Sequence, residues 1–114
     1  MIEKLIKLGP EFSEVPTGRT PKDGPNSGER FRDEILRPAL ESNEKVIVDL
    51  VGVEGLGSSF LEEVFGGLIR NRYYTYPVLK QKLEVKASDT LFEMCLPRIE
   101  KYMQDAWAVL QSNR

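Results

Sequence analysis

One run of apolar residues restricts the fold of this chain more than any other feature. The segment KVIVDLVGV, residues 45–53, is almost uninterrupted aliphatic sequence around a single acid, Asp49. Continuous runs of this kind are typical of strands covered on both faces, as in parallel sheets flanked by helices. We therefore expect residues 46–51 to form the central strand of an α/β domain with right-handed crossover connections.

Shorter patterns before and after this strand predict the other helices and strands. Residues 1–8 predict an edge strand, and Phe12 with Val15 predicts a further short strand inside a long Gly- and Pro-rich loop, residues 9–28. Apolar residues at helical spacing predict one helix from a cap at Asn26 to about Glu41, disturbed at Pro38, and a second from Ser59 to about residue 70.

The C-terminal third predicts a short helix at 77–82, a strand at 83–87 and an amphipathic helical end. Asp89 is the expected cap of that end, and Pro97 is expected to divide it, leaving 97–114 as the C-terminal amphipathic helix. Together these patterns predict a single domain, residues 1–114, of α/β class. It has a mixed central sheet of about four strands and about three main helices.

Several functional classes are excluded by residue types that are missing or rare. The 114 residues include no His and one Cys, so the chain has no Ser/His/Asp triad, no His-ligated metal site and no intrachain disulfide. Its net charge of -2 provides no general attraction for nucleic acid or acidic membranes. The N-terminal MIEKLIKLG is too charged for a signal peptide. We expect a cytoplasmic protein that is not an enzyme, has no metal or cofactor, and binds no membrane.

The segment VIVDLVGVEGLGSSFLEEVFGGLIR, residues 46–70, carries a family resemblance. It resembles STAS domains, in which a buried strand ending in an Asp-containing turn leads to a Ser-Ser or Ser-Thr pair at a helix start. With SGERFRDEILRPAL before it, the chain is similar to the STAS-like family of unknown function, in outline from the first strand to about Ile99.

The resemblance implies a STAS-like regulatory module that docks to a protein partner. That partner would be a histidine-kinase-like ATPase in a bacterial signalling switch. STAS domains of the anti-sigma antagonist type are phosphorylated on a serine at this helix start, which corresponds to Ser59, or to Ser58 if the register shifts by one. The predicted partner-binding and phosphoacceptor residues are Gly57, Ser58, Ser59, Phe60, Glu63, Arg30 and Arg32.

Simpler roles remain open for some of these residues. Ser59 and Glu62 have the spacing of a capping box. Asp49 is predicted to be a structural tether, whose carboxylate either emerges at the sheet end or accepts hydrogen bonds from the turn at residues 55–59. Gly18-Arg19 and Ser27-Gly28, in the long loop, are candidates for display to a partner.

A second function is also open, that of a small nucleotide- or nucleic-acid-binding protein. The glycine turn at 55–59 is one candidate surface for it. The other is the basic stretch Arg70–Lys86, in which Tyr73, Tyr74 and Tyr76 are interleaved with arginine and lysine. These patterns do not predict the oligomeric state.

Overall fold

A single three-stranded sheet organises the computed structural model, which describes residues 2–112. Strands β1 (Glu3–Lys7), β2 (Lys45–Asp49) and β3 (Leu83–Lys86) lie in the order β1-β2-β3, and both pairings are parallel. The prediction of β2 as the central strand and β1 as an edge strand is therefore confirmed. The sheet differs from the expected one because it has three strands rather than about four and is parallel rather than mixed.

The expected strand around Phe12 and Val15 does not form. Helix α1 (Leu8–Glu11) follows β1 directly, and the chain then continues as bends and extended backbone outside the sheet. Phe12 turns inward, where its ring lies 5.2 Å from that of Phe31 in an edge-to-face arrangement. Pro10 and Pro16 have no amide to donate, which further disfavours a paired strand here.

Two longer helices contain π-helical segments in place of the regular helices that we expected. Helix α2 runs continuously through Gly28–Phe31, the π segment Arg32–Leu36 and Arg37–Ser42. Helix α3 likewise joins Ser58–Leu61, the π segment Glu62–Gly66 and Gly67–Arg70. With α1, α4 (Tyr76–Lys82) and α5 (Cys95–Ser112), the described residues form five helices rather than about three.

The π segment of α2 explains how the helix passes Pro38. Proline cannot donate to the carbonyl of Glu34, and its ring crowds that carbonyl in a regular α-helix. Here the Arg37 amide bonds to the carbonyl of Arg32, five residues back, which widens the turn just before the proline. The helix therefore continues to Ser42. It begins one residue later than predicted, because the Ser27 hydroxyl, not Asn26, accepts the Arg30 amide at 3.3 Å.

Pro97 does not divide the C-terminal helix. Asp89 caps a short 3-10 helix, Thr90–Phe92, by accepting the Leu91 amide, and a turn at residues 93–94 separates it from α5. Pro97 lies in the first turn of α5, where an amide would have no intrahelical partner, so the helix tolerates it.

The helices cover one face of the sheet, not both as we expected. Ile6, Val46 and Val48 are buried on the covered face. On the other face Leu5, Ile47 and Glu84 lie side by side; Leu5 is 41% exposed and Glu84 pairs with Lys45 at 3.1 Å. The core is therefore built between one sheet face and residues of α2, α3 and α5, among them Leu36, Leu40, Phe65, Leu68 and Ile99. In residues 2–112, no helix has the length and apolar character that a membrane span requires.

Candidate partner-binding site

Both serines of the predicted site lie exposed at the start of α3. Gly57 is the N-cap residue, with extended backbone angles of φ -86° and ψ 151°, and Ser58 and Ser59 occupy the first two helical positions. No side chain caps this helix end, so the predicted capping box between Ser59 and Glu62 is wrong. Both serines are exposed, and the first amides of a helix have no partner within the helix, which leaves this end available to a binding partner.

The serines form one wall of an open cleft of about 560 Å³. We call it the α3 cleft, and its other wall is the middle of the 9–28 loop. It is lined by Gly57, Ser58, Ser59 and Phe60 on the helix side and by Thr17, Gly18, Arg19 and Asp23 on the loop side. The structure thus brings together two parts of the chain that the sequence marked separately.

The loop wall of the cleft is an ordered turn, although it was expected only to be a long loop. Pro21–Asp23 forms a 3-10 helix with a capping box between Thr20 and Asp23. Gly18 has a φ of 81°, a conformation that glycine adopts without strain. Hydrogen bonds to Asp23 from the backbone amides of Arg19 and Thr20 lower the pKa of its carboxyl group. Asp23 is therefore held as a carboxylate and is a poor proton acceptor.

Arg19 fixes this turn to α3 through ion pairs with its π segment. One guanidinium nitrogen of Arg19 lies 2.5 Å from Glu62 and 3.5 Å from Glu63. Arg70 approaches Glu62 from the other side, also at 2.5 Å. Partial burial by itself raises the pKa of Glu62, but hydrogen bonds from Arg70 and Arg19 outweigh it, and the net pKa is lowered. The negative charges of Glu62 and Glu63, near the start of α3, are therefore compensated by arginines.

Arg32 is inside the protein and not on the predicted contact surface. Its side chain is 4% exposed and lies between α2 and α3. It donates to the Asp33 carboxylate at 2.9 and 3.1 Å, to the Glu63 carboxylate at 2.6 Å and to the Glu63 carbonyl at 3.0 Å. That carbonyl lacks its usual helical partner because the Gly67 amide bonds to Glu62 in the π segment. Arg32 thus supplies the missing donor.

Phe60 and Glu63 are also engaged within the fold. Phe60 is 1% exposed and packs with Phe12 and Phe31, each ring 6.1 Å away, so its side chain is not available to a partner. Glu63 is mostly buried and pairs with Arg32. Arg30 alone of the two predicted arginines stays exposed, with its guanidinium 5.5 Å from the Phe12 ring and bonded to Glu34.

Asp49 links two strand ends. It is 3% exposed at the end of β2, and its carboxylate accepts hydrogen bonds from the Ser88 amide at 3.1 Å and the Ser88 hydroxyl at 2.6 Å. The donors therefore come from the segment after β3 and not from the turn at 55–59. Both oxygens of the buried carboxylate accept a hydrogen bond within the fold, so the contacts of Asp49 are structural.

The basic and aromatic stretch at 70–86 does not form one surface. Arg70 is held by Glu62, Lys80 by Glu100, and Lys82 by the Asn43 carbonyl. The Arg37 guanidinium lies 3.5 Å from the centre of the Tyr73 ring. A separate groove of about 450 Å³ remains, lined mainly by Arg72, Tyr73, Tyr74, Trp107 and Leu110.

No activated catalytic group accompanies either cleft in the part of the chain described. No three His, Cys, Asp or Glu side chains among residues 2–112 are placed to hold a metal ion. Burial raises the pKa of the Cys95 thiol, which keeps it protonated and unreactive at neutral pH. Ser58 and Ser59 share their cleft with Asp23, whose lowered pKa makes it a weak base.

These features define a class, a small α/β domain with a parallel sheet and an exposed serine pair at a helix start. A family model described as "STAS-like domain of unknown function (DUF4325)" matches residues 27–90, more than half of the chain. The chain belongs to this family, as the resemblance predicted. The matched residues run from the start of α2 to beyond β3 and include the α3 wall of the cleft. Comparisons with curated proteins and with solved structures gave no match.

Proposed function

We propose that this chain is a non-enzymatic regulatory module that binds a partner protein through the α3 cleft. The observation that carries the proposal is the exposed, uncapped start of α3, where Ser58 and Ser59 face an ordered turn bearing Arg19. Helix amides and a half-exposed guanidinium at one cleft form a surface for an acidic or hydrogen-bonding group of a partner. Membership of a STAS-like family favours protein interaction over catalysis.

We propose more specifically that the chain acts in a bacterial signalling switch together with a histidine-kinase-like ATPase. That partner would transfer phosphate to Ser59 or Ser58. A phosphate at this position would be favoured by the helix dipole and opposed by nearby acids. Glu62 and Glu63 are the acids in question, and both are paired with arginines, which supports the proposal. Cytoplasmic localisation remains a prediction.

The test of the binding surface is titration calorimetry with a histidine-kinase-like ATPase encoded near this gene. Ser59→Arg, which fills the cleft, should weaken binding at least about tenfold through steric conflict. Ser42→Arg is the matched control, because Ser42 is exposed at the opposite end of the sheet, near the start of β2. Equal affinity for both variants would contradict the proposed surface.

The phosphoryl transfer is tested separately by intact-mass measurement after incubation with that ATPase and ATP. A gain of one phosphate that Ser59→Ala or Ser58→Ala removes would support the switch and identify the acceptor. Binding through the cleft without any phosphate gain would retain the interaction module and reject the phosphorylation step.

The groove at the end of α3 keeps nucleic-acid binding as a second candidate. Arg72 is exposed there beside Tyr73, Tyr74 and Trp107, so an aromatic surface and a positive charge do meet. Salt-dependent retention on single-stranded DNA, lost when Arg70 and Arg72 are both replaced by alanine, would support this function. Absence of retention at low salt would remove it.

A further inference from the structure

The outer edge of β1 is a free strand edge in the described part of the chain. The Lys45 amide donates to the Ile2 carbonyl at 2.8 Å, so even-numbered residues of β1 turn their backbone groups toward β2. Backbone groups of Glu3, Leu5 and Lys7 therefore point away from the sheet, because successive residues of a strand alternate in direction. The Lys7 amide shows this, since it donates outward to the Glu11 carboxylate at 2.7 Å.

The side chains along this edge are complementary to themselves when the strand is reversed. In an antiparallel pairing centred on Leu5, Glu3 of one copy lies opposite Lys7 of the other, and the two Leu5 side chains face each other. Opposite charges and apolar pairs directly across a sheet are both stabilising. Leu5 and Ile2 are 41% and 62% exposed, so apolar surface at this edge is left for a partner to cover.

A groove of about 520 Å³ lies beside the same edge, on the face that α2 covers. Lys4, Glu11 and Glu34 line it together with the apolar Ile35 and Ala39, so the charged side chains of the groove sum to -1. In the pairing centred on Leu5, Lys4 of the second copy falls opposite Ile6, whose side chain lies on this face. Its ammonium group would meet the two carboxylates, which adds a third charge complement to the edge.

We propose that β1 pairs antiparallel with β1 of a second copy of this chain. The two sheets then become one six-stranded sheet, with Leu5 against Leu5 at the two-fold axis. The Leu5 amide of each copy donates to the Leu5 carbonyl of the other. Each Glu3–Lys7 pair adds further backbone hydrogen bonds once the Glu11 carboxylate releases the Lys7 amide. A second copy fits better than an unrelated strand because the edge is complementary to its own reverse, with Glu3 opposite Lys7 at both ends of the pairing.

A charge-reversal series followed by sedimentation velocity tests this pairing. The chain is tagged at its C-terminal end only and is studied across micromolar to millimolar concentration. We expect the wild type to dimerise. Glu3→Lys alone and Lys7→Glu alone each replace two attractive pairs by two repulsive ones and should weaken dimerisation about tenfold or more. The double variant restores opposite charges and should restore the dimer.

Controls separate this edge from general effects of charge and folding. Glu93→Lys makes the same charge change at an exposed residue away from β1 and should leave the dimer intact. Leu5→Pro removes an amide that points away from β2 and breaks no hydrogen bond to that strand. It should remain folded by circular dichroism and sediment as a monomer. A monomeric wild type overturns the proposal. A dimer that survives both single charge reversals, or that the double variant fails to restore, also overturns it.

Discussion

Replacing Arg32 by methionine tests whether the arginine between α2 and α3 is a buried anchor. Arg32→Met keeps the apolar stem but removes four hydrogen bonds, two to Asp33 and two to Glu63. Removing one partner of a buried pair typically costs about 3–5 kcal/mol, because the other charge stays uncompensated. The Asp33 side chain is 33% exposed and regains water, so we expect a loss near the lower end, about 3 kcal/mol.

Equilibrium urea unfolding at neutral pH measures this loss, and the thermal midpoint should fall by about 10 °C. Arg30→Met is the matched control, because Arg30 lies two residues earlier with its side chain 44% exposed, and it should cost less than about 1 kcal/mol. Added salt should remove the small effect at Arg30 but not the large one at Arg32. Equal small losses at both positions would refute the assignment of Arg32 to the interior.

Three further outcomes follow from other contacts. The pKa of Glu62 lies below its ordinary 4.5, so its stabilising contribution is present above that pH and is lost as pH falls through the lowered pKa. Arg19→Met should therefore reduce the acid dependence of the urea midpoint, and an unchanged dependence would contradict the ion pair. Gly67→Ala places a methyl group 2.5 Å from a nitrogen of Arg32 and should lower the free energy of unfolding by about 1–3 kcal/mol, although alanine is the better helix former. A gain in urea stability would show that the guanidinium moves aside without cost. Arg72→Gly relieves a φ of 63° and should raise the thermal midpoint by an amount equivalent to at most about 1 kcal/mol; a lower midpoint would mean that the side chain outweighs the strain.

The apolar run at 45–53 was sufficient to predict a central strand but not how many faces its sheet would bury. Coverage of the face that carries Ile47 depends on the residues beside it, and β1 and β3 contribute the exposed Leu5 and Glu84 there. The alternation in LEVK already indicated a polar side for β3. A continuous apolar run in one strand therefore says less about burial than the pattern shared by its neighbours.

The start of α3 was predicted to within one residue, whereas the contacts around it were not. The Glu62 carboxylate bonds to Arg19, 43 residues away along the chain, and no local spacing predicts such a pair. Arg32 was assigned to the surface because it lies in a stretch of mixed charges, which is usually a solvated face. The turn that carries Arg19 did have a local signal, because the capping-box spacing of Thr20 and Asp23 is typical of a helix start.

The two π segments restrict where this chain tolerates insertions and deletions. Each wide turn holds one residue more than an α-helical path would, and one residue corresponds to about 100° of rotation. Deleting one residue within Glu62–Gly66 would therefore restore regular helix and leave everything that follows in place. Regular helix with no residue removed would instead rotate everything that follows by that angle. Arg70 would then turn away from Glu62, and Leu68 would leave the core. Each π segment thus absorbs one extra residue while the two parts of its helix keep the same neighbours.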